Sequence, residues 1–250
     1  MEQGASIREI DFSQGTGTVT APAQTMRGRA ADVRPRSARA FVASEFPAEA
    51  DETVRGLVKA SQAAEFPIRL LDVIGSLAIL VFTLPLMAVA ALLVKLTSRG
   101  PVLYKQERVG KVGRLFTLYK FRTMVPDAEK HVGPVWATRN DDRVTPIGRI
   151  LRKTRVDELP QLYNVFRGDM SLVGPRPERP FFVERHKALQ GVRLSVKPGL
   201  TGLAQVRAFY DLKPDHKMKY DYLYIQKRSL LLNTYILLRT VPALFSRMGW

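Results

Sequence analysis

The chain has 250 residues, 46% of them hydrophobic, and a formal net charge of +16, enough to bury a core in one domain with appendages. It holds no cysteine, which excludes disulfide frameworks, thiolate nucleophiles and cysteine-ligated metal sites. The basic excess admits nucleic acid, an anionic membrane surface or a phosphate-rich substrate as partner.

Residues 1–66 contain eight basic and nine acidic residues, so the whole excess falls in 67–250. The segment is rich in Gly, Ala, Thr, Ser and Pro and shows no sustained apolar face. It is expected to be a largely disordered cytoplasmic tail. Its first residues carry acidic groups where a signal peptide needs a positive, then apolar, run. The arginine-rich patch from Arg27 to Arg39 offers a docking arm as an alternative to a solvated charge run.

From Val73 to Val94 the chain runs 22 residues without a charge, just long enough to span a hydrocarbon core of about 30 Å. Pro85, near the middle, removes a backbone donor and crowds the preceding turn, which predicts a bend. Arg55, Lys59 and Arg69 precede the segment, and Lys95, Arg99, Lys105, Arg108, Lys111 and Arg114 follow it. Basic flanks stay on the cytoplasmic side, so both ends are expected there. The arm before Pro85 would then enter one leaflet over about 18 Å and return, with Asp72 and Lys95 together at headgroup level. A straight spanning helix and a buried core helix are the alternatives.

Beyond it, VLYKQ and LFTLYKF read as a β-hairpin closed by Gly110 to Gly113. Neither a GxGxxG nor a GxxxxGK[ST] pattern occurs, which removes the dinucleotide-fold and P-loop readings. Asp127 to Lys130 begins a short helix in this reading, and Gly148 to Gln161 forms a helix bearing Arg149, Arg152, Lys153, Arg155, Asp157 and Glu158. On it Asp157 and Glu158 stand about 100° apart, which suits two different roles. The turn GDMSLVGPRPE adds Asp169, Arg176 and Glu178 on an irregular connector. A surface charge cluster is the bland alternative for all of these. KPGLTGLAQV reads as a structural turn into a strand. Leu230 to Trp250 reads as an amphipathic surface helix or a helix packed on the core.

The histidines, His131, His186 and His216, are too scattered for a metal motif, and no GxSxG elbow occurs. Carboxylates are therefore the expected actors. The arginines and lysines around them, with Lys120 and Arg122 of the hairpin, suit phosphate oxygens. Carboxylates with phosphates suggest Mg²⁺, and an aspartate can attack phosphorus covalently. No helix-turn-helix or RNP-like strand is present, so nucleic acid is not an expected partner.

The stretches RLLDVIGSLAILVFTLPLMAVAALLVKLTSRGPVLYKQERVGKVGRLFTLYKFRTM, TPIGRILRKTRVDELPQLYNVFRGDMSLVGPRPE and VKPGLTGLAQV resemble the bacterial sugar transferase family, the monotopic polyprenyl-phosphate hexose-1-phosphate transferases that initiate exopolysaccharide or O-antigen assembly. The resemblance covers about residues 67–250. It implies an α+β protein in three parts: the tail 1–66, a re-entrant membrane helix hairpin 67–98 bent near Pro85, and a cytoplasmic catalytic domain 99–250 of helices, a short β-hairpin and amphipathic surface helices. It implies transfer of a hexose-1-phosphate from UDP-glucose or UDP-galactose to polyprenyl (undecaprenyl) phosphate with release of UMP, at the bacterial inner membrane. Later exopolysaccharide-assembly enzymes are implied partners.

By the same resemblance Asp157 is the nucleophile and, with Mg²⁺ bound nearby, a metal ligand, and Glu158 completes the dyad. Arg152 faces the lipid phosphate, and Pro175, Arg176 and Pro177 lie on the nucleotide side. Lys120, Arg122 and Asp169 complete the expected substrate-binding set. Many members place Ser-Pro at the membrane bend, whereas Thr83-Leu84-Pro85 stands here. A catalytically silent membrane-associated relative is the competing reading.

Overall fold

A computed structural model describes residues 65–129, 133, 135, 141–207 and 214–245. The expectations for the tail 1–64, for Lys130, His131 and for Trp250 lie outside the described residues.

The long apolar segment forms α1, Glu65–Thr97, with Pro85 inside it. Every third or fourth residue along one side is buried or half-buried: Ile68, Asp72, Ser76, Leu80, Thr83, Met87, Ala90 and Val94. The opposite side is bare, with Phe82 87% exposed, and only 11% of the most apolar window is buried. That sets aside a buried core helix. The helix stays continuous through Pro85, whose missing N–H leaves the Val81 carbonyl without its usual donor. Thr83 Oγ1 donates to Ile79 O at 2.7 Å, so a hydroxyl does engage the backbone before the proline, a contact that bends helices.

The hairpin is as expected. β1, Leu103–Val109, pairs antiparallel with β2, Leu115–Phe121, with Tyr104 opposite Lys120 and Arg108 opposite Phe116. A turn of 3₁₀ helix, Lys111–Gly113, joins them. The helix expected from Asp127 is instead a turn, with Asp127 at φ 58°.

The helix expected over 148–161 is broken in two. Thr145 caps α2, Pro146–Lys153, by accepting from Gly148 N at 3.0 Å. The helix stops where Thr154 turns its hydroxyl back onto Ile150 O and Leu151 O and Arg155 enters the left-handed region at φ 59°. A single 3₁₀ turn, Val156–Glu158, follows. Pro160 then opens α3, Gln161–Arg167, from a position that needs no N–H donor.

After α3 the chain turns at Gly168 into β3, Ser171–Val173, which pairs parallel with β4, Gly199–Thr201. Gly174 and Gly199 lie so close that a Cβ on Gly199 would sit 2.0 Å from Gly174 N, so KPGLTG is glycine-bearing because two backbones meet there. The short helices α4, Pro180–Arg185, and α5, Leu203–Arg207, precede α6, Pro214–Gln226, and α7, Leu230–Phe245. The main core joins β2, α3, β3, α6 and α7 through Phe116, Leu162, Met170, Val173, Tyr224 and Ile236. A second cluster of Ala90, Val94, Phe121 and Leu151 seats the C-terminal arm of α1 on β2 and α2.

Candidate active site

The broken helix gives the two adjacent carboxylates different surroundings. Glu158 receives both Arg176 Nη1, at 3.3 Å, and Nη2, at 2.5 Å, with Arg155 Nη1 3.8 Å away. Burial opposes its ionisation, but Arg176, Arg155 and Lys120 outweigh burial and hold it down at about 2. Asp157 is 6% exposed, and its Oδ1 is buried without any hydrogen-bond partner. Burial, then the neighbouring Glu158 charge, push Asp157 up to about 7, against the pull of Lys120 and Arg152.

The cations are set by separate elements. Lys120, near the end of β2, has its ammonium over the Tyr104 ring at 5.2 Å, and burial and Arg108 bring it down to about 8. Arg152, at the end of α2, donates from Nε to Thr123 Oγ1 at 2.8 Å. Burial lowers its pKa, while Asp157 and Asp141 act in the opposite sense. α2 can approach β2 closely because Gly148 lies against the Thr123 carbonyl, where a Cβ would sit 2.1 Å away.

The Pro175–Arg176–Pro177 turn is fixed by its carbonyls. Pro175 O accepts from Gly199 N at 2.9 Å, Arg176 O from Arg193 Nη2 at 2.5 Å, and Pro177 O from Arg108 Nη1 at 3.0 Å. Arg193 is itself paired with Asp221 in a buried bridge of 2.8 Å. Arg108 is driven down to about 10 by burial, with Arg176 and Arg179 adding repulsion and Glu178 opposing it.

Thus Lys120, Arg152, Asp157, Glu158 and Arg176 are brought together, with Pro175 and Pro177 framing Arg176. Two other expected residues are placed elsewhere. Arg122 reaches the segment that follows α1, donating to Arg99 O at 2.6 Å and to Ser98 O at 2.8 Å, because β2 ends at Phe121 and those carbonyls lie within its reach. Asp169 accepts from Asn164 Nδ2 at 3.2 Å and pairs with Arg167 at 3.1 Å. Asn164 in turn accepts from Tyr119 N and donates to Thr117 O, covering the outer edge of β2. Thr123 and Arg193 were not among the expected site residues, and Arg155 and Arg108 were named only among the cations around the dyad and after the apolar segment. Alternation along β1, which puts Tyr104, Gln106 and Arg108 on one face, was a usable signal for Arg108.

Among the described residues no group of three or more His, Cys, Asp or Glu side chains gathers into a metal site. The orphaned Asp157 Oδ1 is nonetheless a hard oxygen donor, and Mg²⁺ needs only one or two protein carboxylates when substrate phosphates and waters complete its shell. The residues present fit that ion.

An α+β scaffold sets two unlike carboxylates among converging cations, an arrangement whose donors suit phosphate oxygens, and the same domain carries a long bare apolar helix. The sequence profile of the bacterial sugar transferases matches residues 63–247, and the chain belongs to that family. It is 41% identical over 185 residues to a UDP-N-acetylgalactosamine-undecaprenyl-phosphate N-acetylgalactosaminephosphotransferase of Aeromonas hydrophila, covering 72% of this chain and 44% of that one. It is 43% identical over 191 residues to a UDP-glucose:undecaprenyl-phosphate glucose-1-phosphate transferase of Caulobacter vibrioides, covering 71% and 69%. An undecaprenyl-phosphate galactose phosphotransferase of Salmonella typhimurium is 38% identical over 205 residues, covering 76% and 43%. The chain thus spans less than half the length of the Aeromonas and Salmonella relatives.

Proposed function

We propose that the protein transfers a sugar 1-phosphate from a UDP-sugar to polyprenyl phosphate, releasing UMP, in two steps through Asp157. The observation that carries this reading is the inequality of the dyad. Arg176 occupies both oxygens of Glu158, whereas Asp157 keeps an oxygen with no partner.

In the first step an Asp157 oxygen attacks the sugar-bearing phosphorus. The bond to UMP breaks and an acyl phosphate to the sugar phosphate forms. In the second an oxygen of polyprenyl phosphate attacks the same phosphorus and the Asp157 carboxylate leaves. Arg176, held by its carbonyl contacts, and Lys120 and Arg152 supply fixed positive charge for the phosphate oxygens, which is worth about 10²–10³ in rate for each well-placed donor. Mg²⁺, held by Asp157 and by donor phosphates, would neutralise the diphosphate so that an anion can approach it. Relatives act on N-acetylgalactosamine, glucose and galactose donors by their names, and the sugar used here is left to experiment.

The acceptor's apolar chain suits a site beside α1. We read α1 as re-entrant at the cytoplasmic face of the inner membrane, because both of its ends are fastened to the same domain. Glu65 pairs with Lys111 at 2.7 Å and with Arg228 at 3.3 Å, and Ser98 and Arg99 are gripped by Arg122.

The test is UMP release by the purified protein from a panel of UDP-hexoses and UDP-N-acetylhexosamines with Mg²⁺, with and without polyprenyl phosphate. Lipid-dependent turnover of one donor is expected. Silence with every donor would leave a membrane-docked relative without activity.

A further inference from the structure

A carboxylate on the buried side of an apolar helix needs a reason, and Asp72 is 1% exposed. Its Oδ1 accepts from Ser171 Oγ at 2.9 Å and from Leu172 N at 2.8 Å. One turn earlier Arg69 donates to Val165 O at 2.7 Å and Phe166 O at 2.6 Å, closing the C-terminal end of α3. One turn later Gly75 lies against Leu172, whose Cδ1 would be 2.8 Å from an added Cβ. The N-terminal arm of α1 is thereby fastened to β3 and α3. The C-terminal arm is fastened by Arg122, which donates to Ser98 Oγ at 2.7 Å as well as to two carbonyls that follow the helix.

The two fastenings lead to different residues around the dyad. β3 runs through Gly174 into the turn whose Arg176 holds Glu158. Arg122 stands between Lys120 and Thr123, the residue that receives Arg152. Between the two fastened arms lies Pro85, a point where a helix bends readily.

We propose that Asp72 and Arg122 are positioning residues for the transfer reaction: they tie the two arms of α1 to different residues around the dyad, so that the splay of the helix in the bilayer sets the spacing across the site and hence turnover. This rests on the transferase reading above. A purely structural Asp72 would lower the folded fraction and nothing else. A positioning Asp72 makes kcat respond to bilayer thickness, because mismatch changes how a helix sits and small displacements of reacting groups cost rate steeply.

The experiment reconstitutes the full chain in vesicles of short-, medium- and long-chain monounsaturated phosphatidylcholine. It measures kcat, donor KM and Tm for the wild type, Asp72→Ala and Asp72→Asn. Wild-type kcat is expected to vary about fivefold across the series. Asp72→Ala should lower kcat about tenfold in the best vesicle, leave donor KM within about twofold and flatten the thickness dependence. Asp72→Asn, which keeps an oxygen acceptor, should recover most of both. Ser171→Ala removes one of the two bonds and serves if Asp72→Ala does not fold; it should flatten the profile in the same way. A wild-type profile that is flat, or a variant profile parallel to wild type, overturns the proposal. Absence of UMP release from the wild type in every vesicle removes the transferase reading itself, whereas a flat profile in an active enzyme removes only the coupling.

Discussion

Adjacent carboxylates on a regular helix share one environment at two angles; the left-handed Arg155 instead turns Asp157 into the interior and Glu158 onto Arg176. The two therefore pull stability in opposite directions with pH. Asp157 is raised above its unfolded value of 3.8 to about 7, so the fold holds its proton more tightly than the unfolded chain does, and its contribution to stability falls as pH rises through that window. Glu158 is depressed from 4.5 to about 2. Its contribution is present above the unfolded value and is lost as pH falls through the folded one. Asp157→Asn should accordingly abolish turnover, by about 10³-fold or more, yet raise Tm at about pH 8 and leave it nearly unchanged at about pH 4. Thermal scans at the two values decide this, and a lower Tm at the higher pH would contradict the buried-acid account. For the wild type, donor kcat/KM should climb with pH about a midpoint near 7 and level off above it. Added Mg²⁺ should move that midpoint down, since a cation at the orphaned oxygen favours the carboxylate.

At the scale of elements, the active-site geometry depends on a few close approaches of backbone. Gly148→Ala places a methyl into the Thr123 carbonyl and must push α2, and Arg152 with it, away from β2. An overpacked contact of this kind costs about 1–3 kcal/mol. A reduced urea midpoint and a loss of kcat beyond the loss of folded protein are expected. A Gly148→Ala enzyme with wild-type kcat would show that α2 is not what places Arg152. The roles expected of the dyad and of the Pro-Arg-Pro turn came from the family resemblance, whereas the hairpin was legible in the sequence, because alternation and glycine pairs report local conformation directly. The break between α2 and α3 was not. Periodicity runs on through Lys153 to Gln161, and nothing in a side chain announces that Arg155 takes a positive φ. Arg122, expected with Lys120 in the substrate-binding set, follows the last residue of β2, and its guanidinium donates to the carbonyls that follow α1, a contact that no local pattern announces.

For the molecule as a whole, the question is on which side of the membrane each end of α1 lies. Flanking charge alone favours the same side for both, and the fold adds an independent reason. Sending either end across would strip Arg122 of Ser98 and Arg99, or Asp72 of Ser171 and Leu172. Both side chains are buried, and a buried charge left without its partners costs about 3–5 kcal/mol. A spanning helix would also have to unpack Ala90 and Val94, or Ile68, from the domain. Because the chain has no cysteine, Phe66→Cys and Arg99→Cys, both at exposed positions, give single reporters. Each should react with a membrane-impermeant maleimide in inverted inner-membrane vesicles, and neither in intact spheroplasts. Reaction of the two from opposite faces would mean that α1 spans and that one set of fastenings is broken.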